Sequence, residues 1–228
     1  FLSKNPMNSD IDLWQGAVAR LQAVGVKEIG LIHRGFSVFG ASPYRNNPMW
    51  HMPIEMRRRM PELPMICDPS HIAGNRDLLY EGAQKSADLN FDGLIIESHI
   101  NPCEAWSDAS QQITPRALEQ LLDSIVWRKK DTDSPEYAKA LEQLRGQIDN
   151  LDAELFAILA KRMGVAEKIG MVKKENNVAI LQTNRWSEIL DRAKSQSQKL
   201  GLSEDFLIKV LDAIHVESIN HQNNVMNK

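Results

Sequence analysis

One periodic stripe in the second half of the chain constrains the fold more than any other feature. Leu144, Ile148, Leu151, Leu155, Ile158, Arg162, Val165, Ile169 and Val172 follow one another at intervals of 4, 3, 4, 3, 4, 3, 4 and 3. Such alternation lines side chains along one face of a helix, so the spacing predicts about eight continuous turns, far beyond the ~11–12 residues of an average helix. A single helix cannot bury a stripe of this length by itself. A partner helix or a partner chain is therefore implied.

The segment has clear boundaries. Ser134-Pro135-Glu136 combines a side-chain cap, a proline suited to the first turn and an early acid. After Asn176-Asn177, residues 185–199 read as a second helix stopped by Gly201. Ser203 then caps a third helix, whose seam is Leu207, Leu211, Ile214, Ser218 and Val225. Residues 131–136 read as a linker and 137–228 as an all-helical domain of three helices.

Polar groups intrude on these apolar seams. Arg162 sits on the first, Ser218 on the third, and Gln222 follows one turn later. Burying such groups without partners costs roughly 2–7 kcal/mol. Two readings account for them: Arg162 snorkels and the other two face water near a fraying end, or all three line a buried polar pocket. Lys173 lies ~16 Å from Arg162 along the helix and about 20° round it, so both long cations can reach one small dianion. Arg145, ~42 Å from Lys173, can reach that pocket only from an antiparallel partner chain. Arg185 opens the second helix, as a surface charge or as a third cation.

Residues 1–130 follow a different rhythm. Short apolar runs at 1–5, 28–33, 64–68 and 91–98 alternate with helical patterns at 10–24, 53–60, 76–89 and 115–129. This alternation predicts βαβ units on a parallel sheet, so the whole chain is α/β plus all-α. Functional groups in such sheets gather at the carboxyl ends of strands. Lys4, Arg34, His71 and Glu97 fall there, with Asp108 in the following loop. His71 with the two carboxylates suits a divalent metal, although strand-end His and acids also serve as plain hydrogen-bonding groups. Lys4 and Arg34 supply positive charge for an anionic substrate. Four strands are half of an eight-stranded barrel. The opening Phe1-Leu2-Ser3-Lys4, already a strand with no start residue, leads us to expect an upstream part.

At the level of motifs the helical domain resembles the all-helical chorismate mutases. The resemblance rests on Leu144 to Asp152, Arg162, Ile169-Gly170-Met171-Val172-Lys173, Ile180 to Arg185 and Ser218 to Gln222. It implies a pericyclic conversion of chorismate to prephenate without a cofactor. In that reading Lys173 and Gln222 donate to the ether oxygen. Arg162, Arg185 and Ser218 hold the carboxylates, and Arg145 enters from the other subunit of a homodimer. Where the family usually carries Glu after this arginine, binding the substrate hydroxyl, the chain has Trp186; Gln182 replaces another common acid.

Residues 1–130 resemble the later strands of type I 3-deoxy-D-arabino-heptulosonate-7-phosphate (DAHP) synthase. Lys4-Asn5-Pro6, His33-Arg34-Gly35, Cys67 to Gly74, Ile96 to Pro102 and Ser107 to Gln112 carry the likeness. It implies the C-terminal half of a (β/α)8 TIM barrel. His71, Glu97 and Asp108 would be ligands for Mn, Fe or Zn, and Lys4 and Arg34 would contact phosphoenolpyruvate. The family's fourth ligand, an early cysteine, has no counterpart, and Cys67 lies on the wrong strand to replace it. The resemblance therefore implies an inactive synthase part in this chain.

Charge and cysteine usage narrow the partners. With 27 Lys+Arg against 30 Asp+Glu, the net charge is −3, which disfavours nucleic acid and membrane surfaces. Two cysteines are too few for a disulfide scaffold and fit a reducing, cytoplasmic setting. No apolar run approaches the ~18–20 residues of a membrane span. Small-molecule substrates are the expected ligands. A regulatory or dimerising module that senses prephenate, or a bare helical scaffold, are the competing readings of residues 137–228.

Overall fold

Strands in the first unit are short apolar runs flanked by polar residues, and each is followed by a helix. In the computed structural model, which describes residues 1–227, the chain divides into the units Phe1–Thr132 and Asp133–Lys228. The first holds β1 (Leu2–Lys4), β2 (Gly30–His33), β3 (Met65–Cys67) and β4 (Gly93–Leu94), all parallel and in the order β1-β2-β3-β4. Strand order follows chain order with no reversal. That is the winding of a singly wound α/β sheet, whereas doubly wound sheets have a switch point.

The intervening helices are α1 (Ile11–Ala23), α2 (His51–Arg59), α3 (Pro69–Ala73), α4 (Leu79–Asp88) and α5 (Pro115–Ser124). Asp10 caps α1, accepting from the Asp12 and Leu13 amides, and Trp14 and Val18, one turn apart, are its buried face. They meet Leu31, Met56, Met65 and Phe91 in the main core. Burying each large side chain contributes roughly 1.5–3 kcal/mol. The short α3 is capped by Asp68 and stopped by Gly74 at φ 70°, where a Cβ would lie 2.5 Å from the Arg45 Cβ.

Three elements differ from the sequence pattern, the first being α3 itself, which falls between the apolar run 64–68 and the helical pattern 76–89. The apolar run 91–98 pairs with β3 only through Gly93 and Leu94; Ser98 forms a bridge with Ile113 instead. The helical pattern that starts at Pro115 stops at Ser124, because Ile125 turns to an extended conformation and is buried near Ala83 and Ala87.

The second unit contains α6 (Pro135–Glu175), α7 (Thr183–Leu200) and α8 (Glu204–Met226). Ser134 and Ser203 cap α6 and α8 through the Tyr137 and Phe206 amides, and Gly201 ends α7 in the left-handed region at φ 65°. The 41 residues of α6 extend ~62 Å at 1.5 Å each. Its contact with α8 uses Met163, Ala166 and Gly170, one position round from the heptad seam. Gly170 eases this approach, since a Cβ there would sit a tight 3.1 Å from the Gln222 Cα. The seam itself stays exposed, with Leu151 at 63% and Ile158 at 61%. Among the described residues no helix is long and apolar enough to cross a membrane.

Candidate active sites

In the first unit the strand ends converge as the parallel topology requires. Lys4 closes β1, Arg34 follows β2, and Asp68 follows β3. His71 stands in α3, and the chain beyond β4 delivers Glu97. Ligand atoms of His71, Glu97 and Asp108 all lie within 4.8 Å of one another. His71 Nδ1 is 2.9 Å from Asp68 Oδ2, and its Nε2 is 3.5 Å from Glu97 Oε1. Asp68 is buried and also accepts from Lys4 Nζ at 3.1 Å. A carboxylate on the far nitrogen fixes the tautomer and orientation of the ring, as around metal-binding histidines generally. The donor set and its oriented imidazole fit a divalent ion.

Further side chains brace this cluster. Gln111, fully buried, donates to Glu97 Oε2 at 2.9 Å. Arg45 Nη1 reaches Asp108 Oδ1 at 2.7 Å and Gln111 Oε1 at 2.9 Å. Asp108 holds φ 49°, a conformation that Asp tolerates better than most residues. Asn5 accepts from the Arg34 amide at 2.7 Å, and the Arg34 Nε is buried without a protein partner. Cys67 is buried beneath the strand end, and burial pushes its thiol up. It is no ligand.

In the second unit all three helices contribute to one cavity of about 370 Å³. Arg162 and Lys173 enter from α6, Arg185 from the start of α7, and Ser218 and Gln222 from α8. Arg162 Nη1 donates to Ser218 Oγ, and Lys173 Nζ to the Ile180 carbonyl. Ser218 and Gln222 are buried rather than facing water. Gln222 Nε2 donates to the Ser218 carbonyl at 3.3 Å, while its Oε1 is buried without a protein partner. Among the described residues no carboxylate lines the cavity. Arg145 is exposed and is not among the lining residues. Three cations, two amides (Gln182 and Gln222) and a hydroxyl around a space of this size suit a small polyanion.

The DAHP synthetase I family pattern matches residues 2–134, and the chorismate mutase type II pattern matches residues 144–223. The 4-amino-4-deoxychorismate mutase of Streptomyces venezuelae is 31% identical over 88 residues, 39% of this chain and 85% of that protein. The chain belongs to both families. Its mutase module is also 32% identical over 87 residues to the T-protein of Haemophilus influenzae, covering 38% of this chain and 23% of that protein. The synthase module resembles the solved truncated 3-deoxy-D-arabino-heptulosonate 7-phosphate synthase from Thermotoga maritima. There the TM-score is 0.50 and the identity 26%, over 54% of this chain and 46% of that one. The chain thus spans about a quarter of T-protein and under half of that synthase.

Sequence reasoning missed several side chains around both sites. Asp68 was legible only as part of a motif, and Arg45 and Gln111 carry no periodic signal. In the mutase module His215 lines the cavity with Trp186. Its position three residues before Ser218, on one helical face, was the available clue.

Proposed function

We propose that the mutase module rearranges chorismate to prephenate, and one observation carries the reading. Arg162, Lys173, Arg185, Ser218 and Gln222 surround a single cavity without a carboxylate lining it among the described residues. In the rearrangement one C–O bond breaks as one C–C bond forms, and no proton is transferred. The pocket needs no nucleophile or cofactor. It holds a compact dicarboxylate conformer and stabilises charge on the departing ether oxygen. Arg162, Arg185 and Ser218 take the carboxylates. Lys173 donates to the ether oxygen, and Gln222 joins it once its amide turns to present the N–H.

Arg145 completes the pocket from a second copy. The eight aliphatic seam residues from Leu144 to Val172 are all exposed in one chain. Covering them between two copies releases on the order of 10 kcal/mol, enough to offset the entropy of pairing. For the synthase module, we read His71, Glu97 and Asp108 as holders of a divalent ion of the Mn, Fe or Zn class. Lys4 and Arg34 bind the phosphoenolpyruvate anion, and Asp68 orients His71 and Lys4 together. Such an ion polarises a bound carbonyl oxygen when present. The whole belongs to aromatic amino-acid biosynthesis in the cytoplasm.

Chorismate consumption by the full chain tests the reading. Lys173→Ala is expected to lower kcat by about 10²–10³. Trp186 in the cavity favours a second reading, in which the module only senses prephenate. Prephenate binding without chorismate turnover would establish that instead.

A further inference from the structure

Trp186 and His215 form a face-to-face pair in the mutase cavity wall, with ring centroids 4.2 Å apart and planes inclined by 18°. Trp186 comes from α7 and His215 from α8, so the stack joins two helices. Its edge bears two imidazole nitrogens, and neither has a hydrogen-bond partner among the described residues. The rest of the lining is dominated by donors: Arg162, Lys173 and Arg185 bind anions and cannot accept a hydrogen bond.

A hydroxyl on a bound dianion needs an acceptor, and few remain. The Ser218 hydroxyl is engaged by Arg162 and by the Ile214 carbonyl. Gln222 Oε1 is also unpartnered, but in the mutase reading its amide is committed to the ether oxygen. Gln182 is exposed at the N-cap of α7, and its side chain makes no capping hydrogen bond that would hold it in place. The His215 ring is instead clamped by an aromatic face, so its edge is preorganised at little entropic cost. We infer that His215, held in place by Trp186, is the specificity-determining residue that accepts a hydrogen bond from the ring hydroxyl of the dicarboxylate substrate. This rests on the mutase reading and makes the module selective for a hydroxylated ring without a carboxylate in the pocket.

Substrate and side chain are deleted together to test it. Steady-state kcat and KM are measured for the full chain with chorismate and with the analogue lacking only the ring hydroxyl. His215→Ala, His215→Asn and Trp186→Phe are compared in the same way. His215→Ala is expected to lower kcat/KM for chorismate about 10-fold, mainly through KM, and to leave the deoxy analogue within about twofold. His215→Asn, which retains an acceptor, recovers part of the loss, and Trp186→Phe gives an intermediate effect confined to chorismate. Equal losses on both substrates, or none, overturn the inference while leaving the mutase reading intact. Should circular dichroism show His215→Ala unfolded, the Asn and Phe variants decide alone by the same two-substrate comparison. No turnover of either compound by the unsubstituted chain overturns the mutase reading and this inference with it.

Discussion

His33 closes β2 inside an aromatic cage, with its ring 5.2 Å from that of Trp50 and 5.8 Å from that of Phe36. Burial pushes it down from 6.5 to about 3. Between those values the unfolded chain binds a proton that the folded chain does not, so stability falls as the pH drops from about 6.5 toward 3. Across that window each pH unit costs on the order of 1.4 kcal/mol of stability. Denaturant titrations across that range should show a shallower acid slope in His33→Phe, which keeps the ring and removes the titration. Asp68 exerts a different kind of leverage. It is buried and serves Lys4 and His71 at once, so Asp68→Ala leaves a cation and an imidazole without their acceptor. The expected results are a stability loss of about 1–3 kcal/mol and a 10–100-fold weaker Mn(II) affinity, read by calorimetry on the full chain.

At the level of elements, the free seam of α6 and its contact with α8 make opposite demands. Leu151→Glu places a charge in the middle of the exposed stripe. It is expected to leave the helical signal intact and to shift sedimentation from dimer to monomer. Gly170→Val pushes side-chain atoms into the backbone at Gln222, where even a Cβ would be 3.1 Å from the Cα. A loss of about 1–3 kcal/mol and a lower kcat follow, since Gln222 moves with α8. Helix starts were legible because their signals are local: Asp10, Thr114, Ser134 and Ser203 all accept from amides in the first turn. The end of β4 was not, because a run such as Leu94-Ile95-Ile96 carries no record of where its pairing partner stops. The α8-facing stripe of α6 was also hidden, since Met163, Ala166 and Gly170 are smaller or less regular than the aliphatic seam beside them. Arg162, Ser218 and Gln222 were readable as intrusions on apolar faces and Lys173 by its spacing from Arg162, whereas Arg185 was legible only as a cation opening the second helix. His215 breaks no pattern, so only its place one turn before Ser218 hinted at the cavity wall, where it stacks on Trp186.

Across the whole molecule, two units of different architecture carry two sets of polar groups, each assembled within its own unit. The first gathers its residues by topology, because parallel strands deliver their ends to one side. The second gathers them by helix packing. Arg145 alone stands apart from its set, exposed on α6 and absent from the cavity lining of its own chain. In the proposed function, with Arg145 supplied by a second copy, that placement makes catalysis a property of encounters. Specific activity, ordinarily independent of the amount of enzyme in the assay, should decline on dilution through the dimer dissociation constant. An inactive copy that carries Lys173→Ala but keeps Arg145 should restore turnover to a copy carrying Arg145→Ala, up to the share of mixed pairs in the solution.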